Sequence, residues 1–160
     1  MKLDPTDTRL LDELQRDGRR SIVDLAERTG LSHTPCARRV RQMEQGGVIE
    51  GYAAVLNPRA IGLQVMAYVQ VKLERHVEEN VASFARALAD LEPVVSCQAT
   101  TGEYDFMLLV MATDLDALSN VVLKGLLAIP GVRDVHSSIV LQTIKRSARL
   151  PLGHLGRGRD

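Results

Sequence analysis

Tryptophan is absent from this chain, and aromatic residues of all kinds make up only 3% of it. Any packed interior is therefore aliphatic. The scarcity also argues against a single-strand nucleic-acid binder, because such proteins stack bases on aromatic platforms. A charge surplus is missing too: 20 Lys and Arg face 20 Asp and Glu, a formal net charge of +0. A chain so balanced is no general glue for a polyanion, so binding one requires a local basic cluster. Only two cysteines occur, Cys36 and Cys97, far apart and without metal-ligand spacing. Both sit in apolar patterns and are expected as buried free thiols, which suits a reducing cytoplasm. The start, Met1-Lys2-Leu3-Asp4-Pro5, turns polar at once and does not read as a secretory signal. No apolar run approaches the roughly 20 residues of a membrane span. The expected location is cytoplasmic, with no membrane partner. Enzyme chemistry finds little support. His33, His76, His136 and His154 have neither metal spacing nor a nucleophile partner, and the glycines form no nucleotide fingerprint. No catalytic residue, metal or cofactor is expected.

What is present is 45% hydrophobic residues in a chain of 160, enough for one ordinary domain or two small ones. The most informative stretch runs from Gly30 to Glu44. Ser32 is placed to cap a helix, and Pro35 falls in its first turn, where a missing donor costs little. Cys36, Val40 and Met43 share one apolar face. His33, Thr34, Arg38, Arg39, Arg41 and Gln42 point elsewhere, with no acid before Glu44. Upstream, Ser21 starts a second helix with Leu25 and Ala26 inside, and Gly30 stops it. Two short helices joined by Thr29-Gly30-Leu31-Ser32 make a helix-turn-helix pattern, whose second helix enters the major groove. An Arg-bearing face is either a solvated surface or a groove reader. The Gly turn, the cap and the acid-free face favour double-stranded DNA, since Arg pairs bidentately with guanine and Thr meets base edges. Ser32, His33, Thr34, Arg38, Arg39, Arg41 and Gln42 are the expected DNA-binding residues.

Taken in order, Leu3 to Asp17 reads as a first helix, with Asp4 as cap, Pro5 at the first position and Leu10, Leu11 and Leu14 inside. Ile22 joins that core. Gly46-Gly47 ends the third helix. Val48 to Leu56 is β-prone, either a wing strand or a strand leading out. Residues 1–56 are thus expected as a winged helix-turn-helix domain, 57–62 as a linker, 63–152 as a second domain and 153–160 as a flexible tail. Leu63 to Leu73 alternates as a half-buried strand. Val77 to Leu91 has helical spacing through Val81, Phe84, Ala85, Leu88 and Leu91. Val94 to Thr101 and Asp105 to Ala112 are strands joined by Gly102-Glu103-Tyr104. Leu115 to Ile129 is helical, and Val132 to Ile144 is the last strand. The order β-α-β-β-α-β predicts an α+β protein whose second half is a ferredoxin-like sandwich. Its sheet would have helices on one face only. The other face, with Met66, Tyr68 and Val110, is apolar enough to predict a two-fold homodimer.

Several short runs are familiar together. Asp17-Gly18-Arg19, Gly30-Leu31-Ser32, Thr34-Pro35-Cys36, Arg39-Val40, Gly47-Val48-Ile49 and Leu56-Asn57-Pro58 resemble the DNA-binding half of the Lrp/AsnC, or feast/famine, regulators. Gly102-Glu103-Tyr104-Asp105 is similar to that family's Gly-Asp-Tyr-Asp loop, and Pro130-Gly131-Val132 sits where the family has it. The ending, Ile144-Lys145 to Leu150-Pro151-Leu152, looks like members responsive to branched-chain amino acids. The resemblance covers nearly the whole chain. His33 departs from it, standing where Pro is common, and Glu103 replaces the commoner Asp. The resemblance implies a winged helix-turn-helix joined to an amino-acid-sensing sandwich, and dimers assembling further, commonly into octamers, with the effector bound between dimers.

A free amino acid needs N–H donors for its carboxylate and an acid for its ammonium. Thr101, Gly102, Glu103, Tyr104 and Asp105 can supply both: Gly102 lets backbone donors approach, and Asp105 can take the ammonium. Ser137 and Ser138 are secondary candidates. The same loop also reads as a plain hairpin turn, where Gly and Asp are common; the resemblance tips it toward an effector site. The expected function is an amino-acid-modulated, sequence-specific DNA-binding transcriptional regulator, with leucine, methionine or another apolar amino acid as effector. The alternative is a metabolic enzyme subunit or an amino-acid-binding assembly protein whose front domain docks to something other than DNA.

Overall fold

A computed structural model describes residues 2–75, 78–147 and 149–155. The chain forms two compact units: Met1–Val55 together with Lys145–Asp160, and Leu56–Ile144. The first unit is helical. Helix α1 spans Pro5–Arg16, α2 Ile22–Thr29 and α3 His33–Gln45. The α1 start is tied reciprocally. The Asp4 carboxylate accepts the N–H groups of Thr6 and Asp7, each at 2.8 Å, while Asp7 accepts the Asp4 N–H at 3.0 Å. Helix α2 is capped by Ser21, whose hydroxyl accepts the Asp24 N–H at 3.1 Å. It ends at Gly30, left-handed at φ 69°, a conformation that costs glycine nothing. Ser32 holds the N-cap position of α3 with an extended backbone, but its side chain makes no capping hydrogen bond. Leu10, Leu11, Leu14, Leu25, Ala26, Cys36, Val40 and Met43 form the interior as the 3.6-residue spacing requires, with Ile22 half-buried against it.

Two expectations for this unit need correction. Val48–Leu56 contains no strand, so no wing is formed in the single chain. A strand needs a neighbour for its N–H and C=O groups, and this segment has no sheet partner. Instead it turns back over the helices. The Tyr52 hydroxyl donates to Glu44 at 3.0 Å. Its ring lies 3.2 Å from where a Cβ on Gly18 would sit, which explains glycine in the turn after α1. The second correction concerns the chain end. Residues from Lys145 were expected within the second domain; in the structure they group with the helical unit. Leu152 packs on the helical core, and the Leu155 N–H bonds to the Leu152 carbonyl at 3.0 Å. Of the expected flexible tail, residues 153–155 form a turn closed by that bond, and 156–160 lie outside the described residues.

The second unit opens with a short 3-10 turn at Arg59–Ile61, within the segment expected as linker. Strand β1 is Val65–Leu73, helix α4 Glu78–Ala89, β2 Val94–Ala99, β3 Phe106–Ala112, α5 Leu115–Asn120 and β4 Val132–Ile139. The strands pair in the order β2-β3-β1-β4, all antiparallel, as the split β-α-β motif demands. Ala67, Val69, Val71, Leu73, Phe106, Leu108, Val110 and Ala112 face Phe84, Leu118, Leu126 and Ile129. Val110 is fully buried there, not on the open face where it was expected. The opposite face carries Met66, Tyr68, Met107, Leu109 and Met111, set together by the register Met66↔Met111, Tyr68↔Leu109 and Gln70↔Met107.

Smaller differences have local causes. Ala85 is exposed, so α4 turns Val81, Phe84 and Leu88 inward without it. The expected helix start at Val77 lies outside the described residues. The second helical pattern divides: α5 passes into a π-helical stretch, Val121–Leu126. A Cβ on Gly125 would come within 3.3 Å of the Leu91 side chain, so the wider turn is held close to its neighbour. Strand β4 stops at Ile139 rather than Ile144. The Val140 N–H still bonds to Met66, but β1 begins at Val65 and offers nothing further to pair with. Leu141 and Ile144 are consequently exposed.

Candidate nucleic-acid interface and effector loop

Helix α3 separates its side chains sharply. Cys36, Val40 and Met43 are buried, and Ser32, His33, Thr34, Arg38, Arg41 and Gln42 are exposed. Thr34, Arg38, Arg41 and Gln42 fall at four- and three-residue steps, so they form one stripe along the helix. Its first turn carries no acid. Such a stripe presents hydroxyl, guanidinium and amide groups to one side, the set that reads base edges and phosphates in a major groove.

Arg39 is not part of that stripe. It is half-buried and turned toward the start of α1, where one guanidinium nitrogen meets Asp4 at 2.7 Å and Asp7 at 2.8 Å. Arg39 was expected among the DNA-binding residues; in the structure its guanidinium is engaged by two acids of its own unit. The Asp7 and Asp4 carboxylates push the guanidinium pKa further up. Asp4 is held below its ordinary value of 3.8, first by the Asp7 N–H and then by Arg39. The two acids that cap α1 thus also brace α3.

Arginines outside α3 were not singled out from the sequence. Glu13 gathers Arg16, Arg20 and Arg28 at 3.5, 3.5 and 3.6 Å. Only the Glu13–Arg16 pair has helical spacing; Arg20 reaches Glu13 from the turn between α1 and α2, and Arg28 from α2. Asp12 holds Arg16 and Arg149, each at 2.7 Å.

In the second unit, the β2–β3 connection presents Thr101, Gly102 and Glu103 to solvent, with Tyr104 and Asp105 half-buried. Gly102 has φ 119°, and a side chain there would meet no atom within 4 Å. Backbone conformation, not space, demands the glycine. The base of the loop is stitched by Thr100 N–H to Asp105 C=O at 2.9 Å and by the Thr100 hydroxyl to Tyr104 C=O at 3.1 Å. Asp105 also joins the neighbouring strand: its N–H bonds to Val71, and its carboxylate accepts the Leu73 N–H at 2.8 Å. The Tyr104 ring lies 6.3 Å from that of His136. Its hydroxyl pKa is raised by desolvation, then by Asp134 and Glu103.

Ser137 and Ser138 face opposite sides of the sheet. Ser137 stands opposite Val69 on the helix-covered side, and Ser138 opposite Tyr68 on the other. Cys36 is buried as expected, but Cys97 is exposed on the edge strand β2. It borders a groove of about 400 Å³ between α4 and β2, which Phe84, Leu88, Ala99 and Phe106 also line. Among the described residues, no group of three or more His, Cys, Asp and Glu side chains is placed to hold a metal ion. No helix among them is long and apolar enough to cross a membrane.

Comparison with known proteins finds two successive matches. Residues 3–44 match the AsnC-type helix-turn-helix domain, and residues 66–150 the Lrp/AsnC ligand binding domain. The chain is 38% identical over 148 residues to the leucine-responsive regulatory protein of Escherichia coli, covering 92% of this chain and 90% of that one. Its fold is similar to a transcriptional regulator from Neisseria meningitidis solved with L-methionine. That pair shares a TM-score of 0.91 and 42% identity, over 96% of this chain and 99% of the other. A feast or famine regulatory protein of M. tuberculosis, also complexed with L-methionine, superposes with a TM-score of 0.82 at 33% identity, over 92% and 98% of the two chains. A helix-turn-helix whose second helix bares an arginine-bearing stripe, a ferredoxin-like sandwich and these extended likenesses have one common explanation: the chain belongs to the Lrp/AsnC family of transcriptional regulators.

Proposed function

We propose that this protein binds specific duplex DNA through α3 and that a small apolar amino acid, methionine or leucine first among them, tunes that binding. The observation that carries the reading is the exposed stripe of Thr34, Arg38, Arg41 and Gln42 on the second helix of a helix-turn-helix. Ser32, His33 and Thr34 sit at the N-terminal end, which meets base edges in this motif. Arg38, Arg41 and Gln42 continue toward the backbone. The L-methionine held by two similar regulators supports the choice of effector.

Thr101 to Asp105 are the proposed effector-binding loop, with the Asp105 carboxylate directed to the ammonium. Tyr104, His136 and Ser138 lie toward the same side, so Ser138 rather than Ser137 is the strand residue to include. The methionine-rich open face of the sheet supports a homodimer, and further association of dimers into an octamer is the proposed working assembly. The protein acts in the cytoplasm as a non-enzymatic regulator without metal or cofactor. Coupling requires the amino acid to bind two states unequally. The test is a titration of the protein onto DNA from upstream of its own gene, with a panel of amino acids, read by light scattering and mobility shift. Methionine or leucine should change the midpoint about fivefold or more, the lower range of ordinary coupling. Identical curves across the panel would remove the amino acid from the function.

A further inference from the structure

The chain end makes a set of contacts that the function above does not use. After β4 it runs exposed through Leu141 and Ile144, then joins the helical unit. There Gln15 of α1 grips one residue from both sides: its side-chain carbonyl accepts the Leu150 N–H at 2.6 Å, and its amide donates to the Leu150 C=O at 3.2 Å. This is the paired bonding of a strand neighbour, supplied by one side chain. One turn earlier on α1, Asp12 accepts from Arg149 at 2.7 Å. Beyond Pro151, Leu152 packs on the core that Leu10, Leu11 and Leu14 build, and the Leu155–Leu152 bond closes the end. A charge, a backbone pair and an apolar anchor fall within four residues, Arg149 to Leu152.

We infer that residues 149–155 are a strap that clasps α1, so that the DNA-binding unit is held by two chain connections, one at its exit near Val55 and one at its return near Lys145. With a single connection, the helical unit would be a tethered domain free to reorient. The return connection links β4 along the chain to residues 149–155, which hold α1 by noncovalent contacts. A shift of β4 on effector binding is then passed to α1 through the strap. This consequence rests on the proposed function; the clasp itself does not.

The test uses the full-length protein and two altered forms: Gln15→Ala with Arg149→Ala, and a chain ending at Ile144. Hydrogen exchange in the parent should show a protected Leu150 amide. That protection should fall at least about tenfold in the double variant, because a single lost bond of about 1.4 kcal/mol corresponds to tenfold. Exchange in α1 should quicken in the shortened chain. On DNA, the methionine-dependent change in midpoint should shrink to less than about twofold in both forms, from the parent's fivefold or more. An unprotected Leu150 amide in the parent overturns the strap, and an undiminished amino-acid response in both altered forms overturns its part in passing on the effector signal. A parent whose DNA binding ignores amino acids, yet whose Leu150 amide is protected through Gln15, counts against the proposed function and leaves the clasp established.

Discussion

Replacing Arg39 with alanine is expected to destabilise the helical unit by about 1–3 kcal/mol, and not primarily to weaken DNA recognition. The full cost of breaking a buried pair is about 3–5 kcal/mol, and partial exposure of Arg39 and Asp4 reduces it here. Asp7 is the reason a sizeable cost remains. It is 6% exposed, and without Arg39 its carboxylate keeps only the Asp4 N–H in the contacts around the cap. The same network makes a prediction in acid. Asp4 is held below 3.8 in the folded protein, so its stabilising contribution is full above that value and is lost as pH falls toward the folded pKa. Chemical denaturation followed from pH 7 down to about pH 2 should show that loss in the parent. The Arg39→Ala variant should start lower and fall less steeply, retaining the part due to the Asp7 N–H. Equal midpoints at pH 7 would show that the ion pairs contribute nothing.

Removing the carboxylate of Asp105 is the other large expected effect, and it has two components. Asp105→Ala takes away the group proposed for the ammonium, and also the acceptor of the Leu73 N–H. A buried donor left without a partner costs about 1–3 kcal/mol, so this variant should melt lower as well as fail to bind. Asp105→Asn separates the two, because its amide oxygen can still accept from Leu73 while the charge is gone. A hydrogen bond to a charged group is worth about 1.5–3 kcal/mol, so calorimetry with L-methionine should show roughly a 10- to 100-fold loss of affinity in Asp105→Asn, at nearly parental stability. Parental heats in Asp105→Asn would place the ammonium elsewhere and leave Asp105 a joint between β1 and β3.

The element ends that depend on neighbouring residues were legible in the sequence. Asp4-Pro5, Ser21 and Gly30 act through bonds closed within a few residues, and the structure keeps all three. The alternation in β1 and the helical spacing of Leu10, Leu11 and Leu14 placed both cores for the same reason. What was not legible depends on distant partners. Nothing around Arg39 distinguishes it from Arg38, because the acids that claim it are 35 and 32 residues away. Val48–Leu56 has strand-forming residues but no strand beside it, and the strand pattern that runs on to Ile144 outruns β1, so β4 ends at Ile139. Gln15 and Leu150 meet across 135 residues, so a pattern read along the chain assigned the last segment to the nearer unit. In the proposed effector loop, Gly102 and Asp105 were singled out by residue type, yet the Leu73 bond to Asp105 emerged only from the fold.

The central claim is that the exposed stripe of α3 meets duplex DNA. It is tested most directly by measuring the binding of the Arg38→Ala, Arg41→Ala protein to upstream DNA at several salt concentrations, beside the parent. Both arginines are exposed, so the melting temperature should be unchanged. Loss of a base contact should cost about 1–3 kcal/mol on the preferred sequence, and loss of a phosphate contact should weaken all sequences and flatten the logarithmic salt slope by about one unit per arginine. A double variant that binds preferred and random DNA with the parent's affinity and salt dependence would contradict the account.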